Sequence, residues 1–292
     1  MMKPLAAAAP QSAVIIPHFN DHTRLKRCLD ALLKGGLSSV EVLVVDNGST
    51  PPIDTLSARF PTVRFVTEPT KGAAAARNRG VQESTAQNLF FLDADCVPAP
   101  DWLATAKQVV RPNAVIGGRV DVFDEGSGPR TGAQAFETVF AFAQKAYVEE
   151  KGFSVTANLL TTRDVFSDVG PFVVGVSEDF DWCQRATAKG YALTYADALA
   201  VSHPTRTDWA GLRKKWRRLT DESFGLIKGQ KLGRIKWAAR ALAMPVSIIA
   251  HIPKILTHRS LSTPQERYRA IATLARLRLL RAGWMLAQAI RG

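Results

Sequence analysis

Along the first hundred positions, apolar residues fall into two kinds of segment. Some form short unbroken runs that end at Pro, Gly or Asp, and others recur every three or four residues. Ala13 to Pro17 is of the first kind, as expected for a buried strand, and Val40 to Val45, Val63 to Val66 and Asn88 to Leu92, with Glu41 and Arg64 as interruptions, read as three further strands. Leu25, Cys28, Leu29, Leu32 and Leu33 keep helical spacing up to Gly35-Gly36. Gly72 opens an alanine-rich helix to about Ser84, and Trp102 to Val110 is a third helix. Strands alternating with helices predict an α/β chain with a doubly wound, mostly parallel sheet.

The alternation then loosens. Ala114 to Ile116 is a further apolar run, and Gly117-Gly118 predicts a bend or bulge after it. A Gly- and Asp-rich loop, Asp121 to Gly132, leads into an aromatic helix near Phe136 to Tyr147. Phe166 to Val174 reads as a turn and short strand, and Glu178 to Lys189 as a polar-faced helix. Tyr191 to Tyr195 and Leu199 to Ser202 read as two late strands. Beyond Pro204 the pattern becomes long helices carrying Arg and Lys, so residues 1–204 and 205–292 are expected to be separate regions. Thirteen residues between Arg240 and Lys254 lack Lys, Arg, Asp and Glu. A membrane span needs about 20 apolar residues, and Pro245 and Pro253 interrupt this run. It is expected to lie in a bilayer interface at most.

Charge sharpens that division. The chain's net +12 is confined to one end: residues 1–204 hold 19 Lys+Arg against 22 Asp+Glu, and residues 205–292 hold 19 against 4. A block at +15 suits a polyanionic surface, either an anionic membrane or a nucleic acid. Cys28, Cys96 and Cys183 are widely spaced, which argues against a disulfide framework or zinc site and for a reducing compartment. Met1 to Pro10 is too short and too proline-bounded an apolar run for a secretory signal.

Several polar groups fall where predicted strands end. Asp93 and Asp95 close the fourth strand. They read either as an ordinary exit turn or as two carboxylates gripping a hard divalent cation that also touches phosphate. Lys71-Gly72, followed by Arg77 and Arg79, offers free N–H groups and cations for phosphate. Glu178, Asp179 and Asp181 crowd three carboxylates into four residues, either as a helix N-terminal charge group or as the source of a general base. His203 is placed at the end of a late strand, as a structural group or a ligand.

Read together and in order, Val14 to Asn20, Val44-Val45-Asp46-Asn47-Gly48-Ser49, Gly72 through Ala76-Arg77-Asn78-Arg79-Gly80, Leu92-Asp93-Ala94-Asp95 and Glu178-Asp179 resemble the family 2 glycosyltransferases. The resemblance covers about residues 12–204. It implies the GT-A fold, inverting transfer from a nucleotide-sugar donor, and Mg²⁺ or Mn²⁺ as cofactor. By the same resemblance, Pro17 and Asn20 border the base, Asp46 accepts from a pyrimidine N3–H, and Lys71 and Arg77 face the donor. Asp93 contacts ribose or metal, Asp95 and His203 hold the metal, Asp179 is the general base, and Asn158 and Glu178 border the acceptor.

Two departures stand out. Asn47 replaces a second Asp that many relatives carry, and Pro17-His18-Phe19-Asn20 lacks two hydroxyls found in the usual first loop.

The expected partners are a nucleotide-sugar donor, a glycan or lipid-linked acceptor and an anionic membrane, with no nucleic acid. The expected location is peripheral, at the cytoplasmic face of the membrane. The competing readings are a nucleic-acid-binding protein using the basic helices, or a nucleotidyltransferase. The first lacks a known reading motif. The second lacks an arginine-containing glycine loop after the first strand.

Overall fold

A computed structural model describes residues 10–291. The N-terminal run considered above as a possible signal therefore lies outside the described residues, apart from Pro10.

The expected strand segments form β1 (Ser12–His18), β2 (Val40–Asp46), β3 (Arg64–Thr67) and β4 (Asn88–Leu92), of which β3 is exposed at both ends. Between them lie α1 (His22–Leu32), α2 (Asp54–Arg59) and α3 (Ala73–Glu83). Then follow β5 (Val97–Pro98), α4 (Trp102–Val109), β6 (Ala114–Phe123), α5 (Gly132–Phe140), α6 (Gln144–Lys151), β7 (Asn158–Thr162), α7 (Arg163–Val169), α8 (Glu178–Ala188) and β8 (Ala192–Pro204). The chain ends in α9 (Trp209–Ile227), α10 (Gly233–Leu256) and α11 (Pro264–Arg291).

Eight strands form one sheet in the order β3-β2-β1-β4-β7-β6-β8-β5. The four strands β3, β2, β1 and β4 are parallel, so their carboxyl ends share one edge. β7 then enters antiparallel to both β4 and β6. Ile15, Leu43, Phe91, Leu159, Phe166, Phe172 and Trp182 are central to the core against this sheet. α3 approaches β1 closely because position 80 is glycine: a Cβ there would sit 2.4 Å from the Ile15 Cγ2.

Four local expectations are corrected. Gly117-Gly118 does not break the strand, because β6 runs straight through it. The glycines instead admit neighbours, since a Cβ on Gly118 would lie 2.2 Å from the Asn158 amide. The single aromatic helix is two, α5 and α6. Phe166 to Val174 begins as the end of α7 rather than forming a strand, and the two late strands are one, β8. β7, unforeseen, sits in the middle of the sheet.

The chain packs as two compact units: residues up to Asp121 with Ala143–His203, and Val122–Phe142 with Pro204–Gly292. Packing thus assigns 122–142 to the unit of the C-terminal helices, where a cut at residue 204 alone would not. In that unit Phe136 and Val139 of α5 pack with Leu212, Leu274 and Leu277. The buried Glu137 accepts from Arg206 at 2.9 Å and Lys215 at 2.8 Å. Its two cationic partners outweigh its burial and hold its carboxyl below the usual range.

Candidate active site

The shared carboxyl edge of β1, β2 and β4 opens into a cleft of about 250 Å³ lined by Pro17, Phe19, Asn47, Arg77, Asp93 and Asp95, among others. Clefts at this edge are where open α/β sheets bind ligands.

Its first wall is set by strand register. β1 and β2 pair so that His18 lies beside Asp46, and the His18 Nδ1 is 2.9 Å from the Asp46 Oδ1. The Asp21 N–H donates to the His18 Nε2 at 3.2 Å, so the ring proton sits on Nδ1 and is donated to the carboxylate. The Ser49 hydroxyl and N–H also donate to Asp46. Burial raises this carboxyl, but these donors outweigh it and hold Asp46 below the usual range. Asp46 is therefore a fixed anion, 6 % exposed.

Asn47 explains its own departure from the family pattern. Its amide nitrogen donates to the carbonyls of Glu68 and Thr70 at 2.8 and 2.7 Å, and its oxygen accepts from the Gly72 N–H at 2.7 Å. A carboxylate could accept the last bond but donate neither of the first two. Asn47 thus ties the entry of α3 to the end of β2. Lys71 donates to the Asn47 carbonyl at 2.8 Å and lies 4.7 Å from the Phe19 ring centre. Asn20, exposed and at a φ of 53°, braces the same edge by accepting from the Thr50 N–H at 2.7 Å.

The second wall is organised by Arg77, which is 3 % exposed. Its guanidinium donates to Asp93 at 2.6 Å and to Glu178 at 2.9 Å, so one side chain joins the end of β4 to the start of α8. Burial works against the charge on Arg77, but Asp93 and Glu178 outweigh it and raise its pKa. Burial pushes Asp93 up, opposed by Arg77.

Asp179 follows Glu178 and has few donors: the Phe180 N–H at 2.8 Å and the Ser177 hydroxyl at 3.3 Å. Burial and the adjacent Glu178 push it up to about 6. α8 is held in place by Trp182, whose indole N–H donates to the Gly170 carbonyl at 2.9 Å and whose ring packs on Phe166. Asn78 secures the preceding loop through reciprocal 2.9 Å bonds with the Phe172 backbone.

Asp95 and His203 meet because β5 and β8 pair with Val97 opposite Ser202. The His203 Nε2 lies 3.1 Å from the Asp95 Oδ2. Among the described residues no group of three or more His, Cys, Asp or Glu could hold a metal ion. A carboxylate with an imidazole nonetheless suits a divalent cation whose other positions come from phosphate oxygens. Asp93 fits that purpose less well, since Arg77 engages one of its oxygens.

Asn158 is not brought to the cleft. It is wholly buried, accepting from the Trp102 indole at 3.0 Å and donating to the carbonyls of Arg119 and Leu199 at 2.9 and 2.8 Å. Its amide is spent inside the sheet, which corrects the expected acceptor contact. Sequence reasoning passed over His18 and Ser49. The signal available was that His18, like His203, ends a strand.

The chain matches the family model for glycosyl transferase family 2 over residues 13–175. It is 32% identical to glycosyltransferase AglE of Haloferax volcanii over 224 residues, covering 73% of each protein. It is 28% identical over 210 residues to a pre-mycofactocin glycosyltransferase of Mycobacterium tuberculosis, covering 67% of this chain and 44% of that one. Among solved structures, it resembles the mannosyltransferase PcManGT of Pyrobaculum calidifontis, in complex with GDP-Man and Mn²⁺. That match has a TM-score of 0.56 at 17% identity, covering 97% of this chain and 74% of the other. S. aureus TarS aligns with a TM-score of 0.52 at 14% identity, covering 89% of this chain and 54% of that one.

Proposed function

The chain belongs to glycosyl transferase family 2, and on that premise we propose that it is an inverting transferase with Asp179 as its general base. The donor is a nucleoside-diphosphate sugar and the acceptor a hydroxyl on a glycan or lipid-linked glycan. The observation that carries this reading is the Arg77 bridge. It ties Glu178, and with it the neighbouring Asp179, to the strand edge that bears Asp93, with Asp95 two residues on.

In the proposed reaction the acceptor oxygen attacks the anomeric carbon as its proton passes to Asp179. The bond from that carbon to the diphosphate oxygen breaks, and the nucleoside diphosphate leaves with the electron pair. A base works best with a pKa near the operating pH, and about 6 for Asp179 meets that requirement. Asp46, fixed as an anion, accepts an N–H from the base. Pro17 and Phe19 line the cleft, while Asn20 and Lys71 hold its nucleotide edge. Glu178 is committed to Arg77, so it orients α8 beside the acceptor side.

Asp95 and His203 are the residues that would hold Mg²⁺ or Mn²⁺, and the Mn²⁺ in the PcManGT complex supports that choice. When bound, such an ion supplies Lewis-acid neutralisation of the leaving diphosphate.

A panel of nucleotide sugars tests this reading. One donor is expected to raise the melting temperature in a Mg²⁺- or Mn²⁺-dependent way and to yield product of inverted anomeric configuration. Retained configuration, or consumption of donor without release of nucleoside diphosphate, would contradict it.

A further inference from the structure

The helix α10 presents two unlike faces. Trp237, Ala241 and Ile255 are buried, and Met244 packs with Trp237 in a small core that also holds Met285 of α11. On the other side, Ile235, Leu242, Val246, Ile249 and Leu256 are 65, 68, 69, 73 and 52 % exposed. At 3.6 residues per turn these five fall within about 80° of one another, opposite the packed face. They form one continuous apolar stripe along a 24-residue helix. Lys236, Arg240 and Lys254 border it on one side and Arg234 on the other. The helix carries no Asp or Glu.

From this we infer that α10 lies in the plane of an anionic bilayer surface, with its stripe among the acyl chains and its cations at the lipid headgroups. The inference does not depend on the proposed transfer chemistry. Two features select a lipid surface over another occupant. The first is charge: residues 205–292 hold 19 Lys+Arg against four acids, Asp208, Asp221, Glu222 and Glu266. Asp221 and Glu222 are paired within α9, and Glu266 accepts from the Ser262 N–H and faces Arg130. The cationic excess is therefore left to an outside anion, which a second copy of the same +15 block would repel rather than satisfy. The second is shape, because a narrow apolar stripe flanked by Lys and Arg is how helices seat at the headgroup boundary.

Gly233–Leu256 is also long and apolar enough, by composition, to cross a membrane. Its packing argues for lying flat. The Trp237 indole donates to Gln288 at 3.0 Å, and the Arg278 guanidinium lies 3.4 Å from the sulfur of Met244, at mid-helix. A crossing α10 would carry Arg278 to the middle of the hydrocarbon, where an arginine is costly. Lying flat, the same arginine stays on the protein side.

The test is flotation of the full chain with vesicles of phosphatidylcholine alone or with added phosphatidylglycerol. The wild type is expected to float with the anionic vesicles only and to be released by sodium carbonate. Leu242→Asp/Val246→Asp/Ile249→Asp is expected to lose at least about tenfold of the bound fraction at an unchanged melting temperature, since all three side chains are exposed. Lys236→Gln/Arg240→Gln/Lys254→Gln is expected to bind less and to lose most of its salt sensitivity. Binding by the triple-Asp chain equal to wild type would overturn the inference. So would carbonate-resistant insertion, or a wild-type dimer in solution that the triple-Asp change dissociates while neither chain floats.

Discussion

Two carboxylates, Asp46 at the end of β2 and Asp179 in the first turn of α8, are both sheltered from water yet titrate in opposite directions. Asp46 receives the His18 ring, the Ser49 hydroxyl and the Ser49 N–H, and is held below the ordinary range. Asp179 receives one backbone N–H and one long hydroxyl bond, sits beside Glu178, and is pushed up to about 6. Burial acts on both in the same sense. The number of donors and the charge of the neighbour Glu178 decide the outcome; in the proposed reaction Asp46 would then serve recognition as a fixed anion and Asp179 proton transfer as a poised base.

The largest effect expected from breaking this pairing is Asp179→Asn. Turnover should fall about 10²–10⁴-fold with donor affinity close to wild type, measured by steady-state kinetics and calorimetry. Stability should move the other way. A raised carboxyl favours the folded state while protonated, and that contribution is lost as pH rises through about 6. The Asn variant should therefore unfold less readily than wild type near pH 8, by at most about 3 kcal/mol, with the difference vanishing toward pH 4.

Arg77→Met removes the cation that joins the end of β4 to the start of α8. It leaves Asp93 and Glu178 without their shared partner, and denaturant titration should show a loss of about 3–5 kcal/mol. Asn47→Asp is isosteric but replaces two donated bonds with carboxylate oxygens facing carbonyls. A loss of about 1–3 kcal/mol is expected, together with weaker donor binding as the Gly72 helix entry loosens.

How much of this the sequence disclosed follows from what each residue does. The strands β1, β2 and β4 are legible because both faces are buried, which makes them apolar between their ends apart from Glu41 of β2. β7 was hidden because Asn158, Thr161 and Thr162 are buried as hydrogen-bonding groups. Polarity in a sequence does not distinguish a satisfied interior amide from a surface one. The same ambiguity misdirected Asn158 toward an acceptor and left Asn47 as an unexplained departure. Asp46, Arg77, Asp93, Asp95 and Asp179 were legible as a set because strand-end carboxylates and an arginine occur in family order. Which of them share a bond is set by register and by α8, neither of which composition reveals.

The contrast between Asp46 and Asp179 is tested most directly by measuring kcat/KM and the affinity for the nucleotide sugar, which has no terminal phosphate to titrate, across about pH 5 to 8. The rate should rise with pH along a limb centred at about 6, while affinity stays level because Asp46 remains ionised throughout. A flat rate profile, or rate and affinity falling together on acidification, would contradict the assignment of the two carboxylates.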